Sequence, residues 1–156
     1  MLTIRQANLN DVPVLHSLIQ EMAEYEHLPF LMTEQILTSD GFGAQARFRV
    51  LIAEFDHQPA VYAFFFDSYS TFQGRSLFLE DLFVRPQFRK NKVGGALFIT
   101  RRSYCPRRKL LWSYATCPRL ERNCDPVLQN ATFLDDWKTV CLKGNALRLL
   151  AESRDH

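Results

Sequence analysis

Three strand patterns follow one another between residues 48 and 84, and this run constrains the fold more than any other feature of the sequence. The three segments are rich in β-branched and aromatic residues and are separated by polar stretches; they are 48–54, 61–66 and 77–84. A shorter strand is predicted over 2–5, ahead of two helices. A basic stretch after residue 84 leads into a predicted helix over 94–104. This alternation of strands and helices predicts an α/β domain with a mixed sheet.

The two helices ahead of the run have clear boundary signals. Asn10 or Asp11 can cap the first helix, and Pro13 fits its first turn. Its apolar residues recur at helical spacing and are Leu15, Leu18, Ile19 and Met22. The second helix is predicted over 33–40, and Gly41 is expected just past its end. Two further strands and a closing helix are predicted at 109–115, 137–142 and 144–152.

The chain has 156 residues, which predicts a single domain, 1–156. A domain of this size can bury a hydrophobic core without disulfides or a structural metal. Hydrophobic residues make up 47% and charged residues 23%, as in globular proteins. We expect a cytoplasmic protein without membrane contact, because no apolar run approaches the roughly 20 residues of a membrane span and the first residues form no secretion signal. The cysteines and histidines lack metal-ligand spacing, so no metal site is predicted.

The charges are distributed unevenly, although the formal net charge is only +2. Ten basic residues and no acidic residue lie between positions 82 and 120, whereas the rest of the chain has nine basic and seventeen acidic residues. The basic region suits an anionic ligand, and the remainder suits a cation. A solvated basic surface without a ligand is the open alternative on charge alone.

The segment 79–97 combines a predicted strand, a basic turn and two glycines at the start of a helix. The first amides of a helix are unpaired and carry the positive end of the helix dipole, so such a turn binds phosphate groups. The segment matches neither the Walker loop nor the dinucleotide-binding glycine motif. The pattern alone fits a simple connection between strand and helix as well as it fits an anion-binding site.

Together with other blocks of the chain, this turn resembles the acetyl-CoA-binding motif of the GNAT acetyltransferase superfamily, Arg/Gln-x-x-Gly-x-Gly/Ala. The resemblance is most specific to the diamine (spermidine/spermine) acetyltransferase branch. The blocks that carry it lie at 40–43, 49–54, 63–66, 79–84 and 131–137. It implies a GNAT fold and acetyl transfer from acetyl-CoA to a primary amine of a small polyamine, diamine or lysine-like molecule. It also implies a homodimer, since proteins of this branch are commonly homodimers.

The resemblance also implies roles for individual residues. Glu80 matches a glutamate that serves the substrate amine as general base through water, and it shares the amine site with Tyr25, Glu26 and Asp81. The residues matched to acetyl-CoA binding are Leu82, Phe83, Val84, Arg89, Lys90, Asn91, Lys92, Val93, Gly94 and Gly95. Physical chemistry agrees with these roles, because an alkylammonium must lose a proton before it attacks, and clustered acids attract a cationic substrate.

The sequence departs from the family in two places. Lys92 stands where the motif has its first glycine; its side chain either crowds the pyrophosphate or adds a charge contact to it, and we expect weakened rather than abolished CoA binding. Residues 99–130 do not resemble the family, and the tyrosine that protonates the departing thiolate is absent from the corresponding place. Compensating frameshifts near residues 99 and 130 are our hypothesis for this interval, because codon degeneracy permits 119–128 to encode the missing motif in a shifted frame. The nucleotide sequence tests that hypothesis directly.

These departures leave more than one function open. An active amine N-acetyltransferase with a small-molecule partner is the favoured interpretation. The alternative is a catalytically impaired protein of the same fold that still binds CoA. A nucleic-acid-binding domain is disfavoured, because the basic region contains no nucleic-acid motif and lies mostly in the atypical interval 99–130.

Overall fold

The computed structural model describes residues 1–72, 74–89, 91, 93, 96 and 97, together with the backbone of 113–115. Its helices and strands are β1 (Leu2–Gln6), α1 (Val12–Glu26), α2 (Glu34–Phe42), β2 (Arg49–Phe55), β3 (Gln58–Ser70), β4 (Gly74–Val84) and β5 (Ser113–Ala115). A 3₁₀ turn precedes α1 at Leu9–Asp11, and another follows β4 at Pro86–Phe88. The helix predicted over 94–104 is represented by Ala96 and Leu97. The elements predicted at 137–142 and 144–152 lie outside the described residues.

The five strands form one sheet in the order β1-β2-β3-β4-β5. The first four strands are antiparallel to their neighbours, whereas β5 runs parallel to β4 and pairs with it from Leu77 to Leu79. The prediction of a mixed sheet is therefore confirmed. The polar stretch between the second and third predicted strands was expected to be a loop through Gly74. That prediction was wrong, because β3 and β4 continue as a hairpin to the Ser70–Gly74 pair. Gly74, at φ 86°, supplies the left-handed conformation that this tight turn requires.

The sheet has a hydrophobic core on each face. The first core includes residues of α1 and α2 with one set of strand positions, among them Leu15, Leu18, Leu37, Val50, Ile52, Tyr62 and Phe83. The second core contains the opposite set, among them Leu51, Val61, Ala63, Phe65, Leu77, Leu79, Val93 and Leu97. Within the described part of the chain, no helix is both long and apolar enough to cross a membrane.

The helix boundaries differ from the prediction at two positions, Asn10 and Gly41. Asn10 does not cap α1; Asn8 caps the preceding 3₁₀ turn, and its side chain accepts from the Asn10 amide. Asp11, the other predicted cap, occupies the N-cap position of α1, and its carboxylate accepts from Arg5 and from the Asn8 amide rather than from an amide of α1. Gly41 lies inside α2 rather than past its end. A side chain there would collide with the ring of Phe48, so glycine permits the close approach of α2 to β2.

Candidate functional site

A β-bulge at Glu80 divides β4 into two parts. Leu79 and Asp81 pair with successive residues of β3, so Glu80 has no residue opposite it. An extra residue reverses the alternation of side chains along a strand. As a result, Leu79 packs in the second core whereas Phe83, four residues later, packs in the first. The bulge thus decides which face of the sheet each residue after Glu80 occupies.

Asp81 is the acidic residue that the bulge brings to the first-core face. There it lies opposite Phe64 of β3, two residues along the strand from the pair of Tyr62 and Phe83. Burial raises the pKa of Asp81 to about 6, and the neighbouring charge of Glu80 acts in the same direction. Burial also raises the pKa of Tyr62, so its phenol remains a proton donor. Asp81 therefore titrates close to neutral pH, where a carboxylate binds or deprotonates an amine most effectively.

Glu80, the predicted general base, is exposed at the bulge, next to Asp81 in the chain. The two carboxylates interact electrostatically, because the charge of Glu80 contributes to the raised pKa of Asp81. The structure therefore places one acid in solvent and one against the core, side by side. A cationic amine that approached this pair would relieve the repulsion between them.

The segment after the bulge has an edge suited to an extended ligand. The amide of Arg85 donates to the carbonyl of Ala60 on β3. Because backbone groups of antiparallel strands alternate in direction, those of Val84 and Leu82 point toward the opposite edge. The pairing of β4 with β5 ends at Leu79, so among the described residues no strand covers this edge beside Leu82 and Val84. Leu82 and Val84, two of the residues matched to acetyl-CoA binding, thus direct their backbone groups to an edge without a strand partner in the described structure, where Arg89 Nε donates to the Val84 carbonyl.

Arg85 fastens the end of β4 to α1. Its Nε and one terminal nitrogen donate to the two carboxylate oxygens of Glu21 at 2.8 and 2.6 Å, and the other terminal nitrogen donates to the Pro59 carbonyl at 2.5 Å. The guanidinium lowers the pKa of Glu21, so the pair stays charged. A two-point contact of this kind fixes both direction and distance. α1 is therefore held against the start of the basic turn.

Tyr25 and Arg89 are brought together by this arrangement. The Arg89 guanidinium lies 4.5 Å from the centroid of the Tyr25 ring and donates to its hydroxyl at 3.3 Å. Tyr25 is predicted at the amine site and Arg89 at the cofactor site, 64 positions apart in the chain. Their contact places the end of α1 beside the basic turn. Both side chains are exposed, so the contact is accessible to a ligand.

The remaining predicted site residues occupy varied positions. Asn91 donates from its side chain to the Phe88 carbonyl at 3.1 Å and so closes the basic turn. Val93 is buried in the second core, so its side chain serves packing. Glu26 is the half-buried last residue of α1. Four predicted cofactor residues lie outside the described residues: Lys90, Lys92, Gly94 and Gly95.

Sequence reasoning missed three residues that build this site. Tyr62 was counted as an apolar strand residue, although its hydroxyl donates to Sδ of Met22 on α1 at 2.9 Å. Arg85 was counted within the basic region and the turn matched to the acetyl-CoA motif but was given no contact, and Glu21 was not considered.

Comparison with known proteins agrees with this architecture. The chain is 35% identical over 104 residues to a thialysine N-epsilon-acetyltransferase of Bos taurus, with 60% of this chain and 61% of that protein covered. It is 31% identical over 103 residues to the spermidine/spermine N(1)-acetyltransferase-like protein 1 of Homo sapiens, covering 60% of this chain and 15% of that one. The chain thus spans less than two thirds of the curated relatives it matches. No protein-family model matches the sequence.

A solved structure extends the similarity beyond the part matched in sequence. A predicted acetyltransferase from Clostridium acetobutylicum, determined with acetyl-CoA, superposes with a TM-score of 0.68 at 18% identity, covering 90% of this chain and 96% of that one. The chain has the GNAT acetyltransferase fold, as its sequence predicted. Its resemblance to the GNAT superfamily and the polyamine branch is confirmed.

Proposed function

The chain has the GNAT acetyltransferase fold. We propose that it is an N-acetyltransferase, which transfers an acetyl group from acetyl-CoA to a primary amine of a small polyamine, diamine or lysine-like molecule. The observation that carries this proposal is the bulge at Glu80. It places an acidic pair, Glu80 and Asp81, directly before Leu82 and Val84, whose outer edge is covered by no strand among the described residues. An amine held at the pair would therefore lie next to an acyl donor held at the edge.

The acyl donor is a co-substrate, and the described residues fit it. Backbone amides and carbonyls at the edge of Leu82 and Val84 suit the amide-rich arm of CoA. The exposed guanidinium of Arg89 suits a phosphate group. Its cation–π contact with Tyr25 is weak, so a phosphate could replace Tyr25 as its partner. The names of the thialysine relative and of the acetyl-CoA-bound neighbour support the same assignment.

The acidic pair supplies the proton chemistry of the transfer. An ammonium substrate must lose one proton so that its nitrogen lone pair can form a bond to the thioester carbon while the carbon–sulfur bond breaks. We assign binding of the ammonium to Asp81 and removal of the proton, through water, to Glu80. Tyr25 and Glu26 at the end of α1 complete the amine site in this proposal.

A catalytically impaired protein that still binds CoA is the second candidate. It is favoured by the absence of a tyrosine at the expected place in 119–128. Loss of a general acid typically costs about 10²–10⁴-fold in rate, which slows thiolate departure without forbidding it. A thermal-shift titration with acetyl-CoA tests binding, and release of the CoA thiol with spermidine, putrescine, thialysine or lysine tests turnover. Stabilisation without thiol release would select the impaired protein, and absence of both would reject both candidates.

We propose a homodimer as the assembly, by resemblance to the same branch. Light scattering of the full chain at micromolar concentration tests it. A monomer at that concentration would contradict the assignment.

A further inference from the structure

Arg85 joins three elements of the fold at the start of the basic turn. Its backbone amide donates to the Ala60 carbonyl of β3, and its own carbonyl accepts from the amide of Phe88 in the following 3₁₀ turn. Its guanidinium donates to the Pro59 carbonyl and, at two points, to the Glu21 carboxylate of α1. One residue therefore fixes both the path of the turn and the position of α1 beside it.

A second contact between α1 and the turn lies four residues further along each element. Tyr25 follows Glu21 by four residues, so the two side chains share one face of α1, and Arg89 follows Arg85 by the same number. The Arg89 guanidinium lies 4.5 Å from the centroid of the Tyr25 ring and donates to its hydroxyl. The ion pair and the ring contact thus lie side by side between the same two elements.

The two contacts differ in strength. The side chains of Arg85 and Glu21 are only 21% and 36% exposed, and the guanidinium lowers the pKa of Glu21, so the pair stays charged. Its two-point geometry resists displacement. A cation–π contact between exposed side chains is weak and exchanges readily. The ion pair therefore sets the register of α1 on the turn, and the contact between Tyr25 and Arg89 is the part that a ligand displaces.

The face of the Tyr25 ring can hold either Arg89 or a substrate ammonium group. Both are cations, and both bind an aromatic face in the same way. Arg89 therefore competes with the amine for Tyr25. A phosphate group is a stronger partner for a guanidinium than a ring face, because opposite charges and two parallel hydrogen bonds join them. Transfer of Arg89 to a phosphate of CoA consequently frees the ring for the amine.

We propose that Arg85 and Glu21 are positioning residues, whose ion pair holds Tyr25 against Arg89 and thereby makes binding of the amine depend on binding of CoA. The proposal rests on the proposed function, which places Tyr25 at the amine site and Arg89 at the cofactor site. It assigns Arg85 and Glu21 no contact with substrate or cofactor. By linkage, CoA and the amine strengthen each other's binding by the same factor.

The first test measures this coupling and needs no acetyl transfer. Spermidine and thialysine are titrated separately into the full chain by calorimetry, with and without saturating CoA, which has no acetyl group to transfer. The titrations use about 0.15 M salt, at which distant charges are screened. CoA is expected to tighten amine binding by about fivefold or more, the lower end of typical coupling between sites. Equal amine affinities with and without CoA would overturn the proposal.

The second test separates positioning from stability. Glu21→Gln removes the charge of the pair but keeps the shape of the side chain, and it is expected to reduce the coupling below about twofold, because Tyr25 and Arg89 no longer meet. Arg5→Lys is the matched control, since the Arg5 fork holds the other end of α1 through Asp11 at 2.7 Å. It should lower stability to urea but keep the wild-type coupling. Undiminished coupling in Glu21→Gln, or an equal loss in Arg5→Lys, refutes the proposal.

Two further variants test the route of the coupling. Arg85→Lys keeps the charge but loses the planar fork, so the coupling should fall as it does in Glu21→Gln. Arg89→Ala removes the competing cation, so the amine should bind without CoA as tightly as it binds the wild type with CoA. Adding Glu21→Gln to Arg89→Ala should change the coupling no further. A further change would mean that the ion pair acts by another route, against the proposal.

The proposed function fails by a different outcome. If CoA and an amine bind with the expected coupling but acetyl-CoA releases no thiol, acetyl transfer is rejected and the positioning role stands. If the wild-type chain acetylates the amine but shows no coupling, acetyl transfer stands and the positioning role is rejected. If neither amine binds the wild-type chain, both are rejected.

Discussion

The two parts of β4 on either side of Glu80 differ in what surrounds them. Before the bulge, Leu77–Leu79 lie between β3 and β5, and both leucines are buried in the second core. After it, Leu82–Val84 pair with β3 and, in the described structure, have no strand on their other side. Within the described residues, β4 thus contains a part paired on both sides and a part paired only with β3.

The comparison indicates how a small sheet accommodates an acidic site without losing its core. A carboxylate in the middle of a fully paired strand would be costly to bury. At the bulge, Glu80 is exposed to solvent, and Asp81 lies on the first-core face, where burial raises its pKa. The irregularity therefore coincides with the residues proposed to bind and deprotonate the amine.

The largest expected effect comes from the part before the bulge. Leu77→Ala removes a side chain that is 0% exposed, and such a cavity typically costs about 2–5 kcal/mol of unfolding free energy. Leu82→Ala, in the part after the bulge, is the matched control; its half-buried side chain should cost roughly half as much or less. Urea denaturation measures both. Equal losses would remove the distinction between the two parts.

A smaller effect is expected from Asp81, and it depends on pH. The native pKa of about 6 lies above the ordinary value of 3.8, so the folded protein holds this proton more tightly than the unfolded chain does. Wild-type stability should therefore fall as pH rises from about 4 to about 6 and then level off. Asp81→Asn lacks this loss, so its stability relative to wild type should rise by about 2–3 kcal/mol over that range.

The control for Asp81 is Asp67→Asn, which removes a largely exposed carboxylate from β3. Its effect should be under about 1 kcal/mol, because it breaks a surface ion pair with Arg49. Denaturation series at several pH values provide the comparison. If Asp81→Asn has the same pH dependence as wild type, Asp81 does not titrate as described.

The smallest effect on stability is expected at the contact between Tyr25 and Arg89. Arg89→Ala should change the free energy of unfolding by under about 1 kcal/mol, because both side chains are exposed. It should nevertheless reduce acetyl-CoA affinity by about tenfold, the loss expected for one charged phosphate contact. Isothermal titration calorimetry measures this, with Arg75→Ala as the control at an exposed arginine of the hairpin. Equal affinities in the two variants would exclude Arg89 from the cofactor site.

The sequence predicts the helices and strands up to residue 84 because their apolar residues recur with a clear period. α1 follows a helical stripe from Leu15 to Met22, and β2 is a dense run of β-branched and apolar residues. The end of the β3–β4 hairpin, from Asp67 to Ser76, was not predicted as strand, because polar residues at its exposed positions are also typical of a loop. The bulge leaves no mark in the sequence, because it depends on the register against β3.

Acetyl transfer to an amine is the central claim, and its most direct test is thiol release from acetyl-CoA with the acetylated amine identified by mass spectrometry. The full chain should produce both with spermidine or thialysine. Glu80→Gln should lower the rate by about 10²-fold or more, because it removes the proposed base. Glu34→Gln, an exposed glutamate at the start of α2, should retain the wild-type rate. No acetylated amine from the wild-type chain, or an equal rate in Glu80→Gln, would contradict the account.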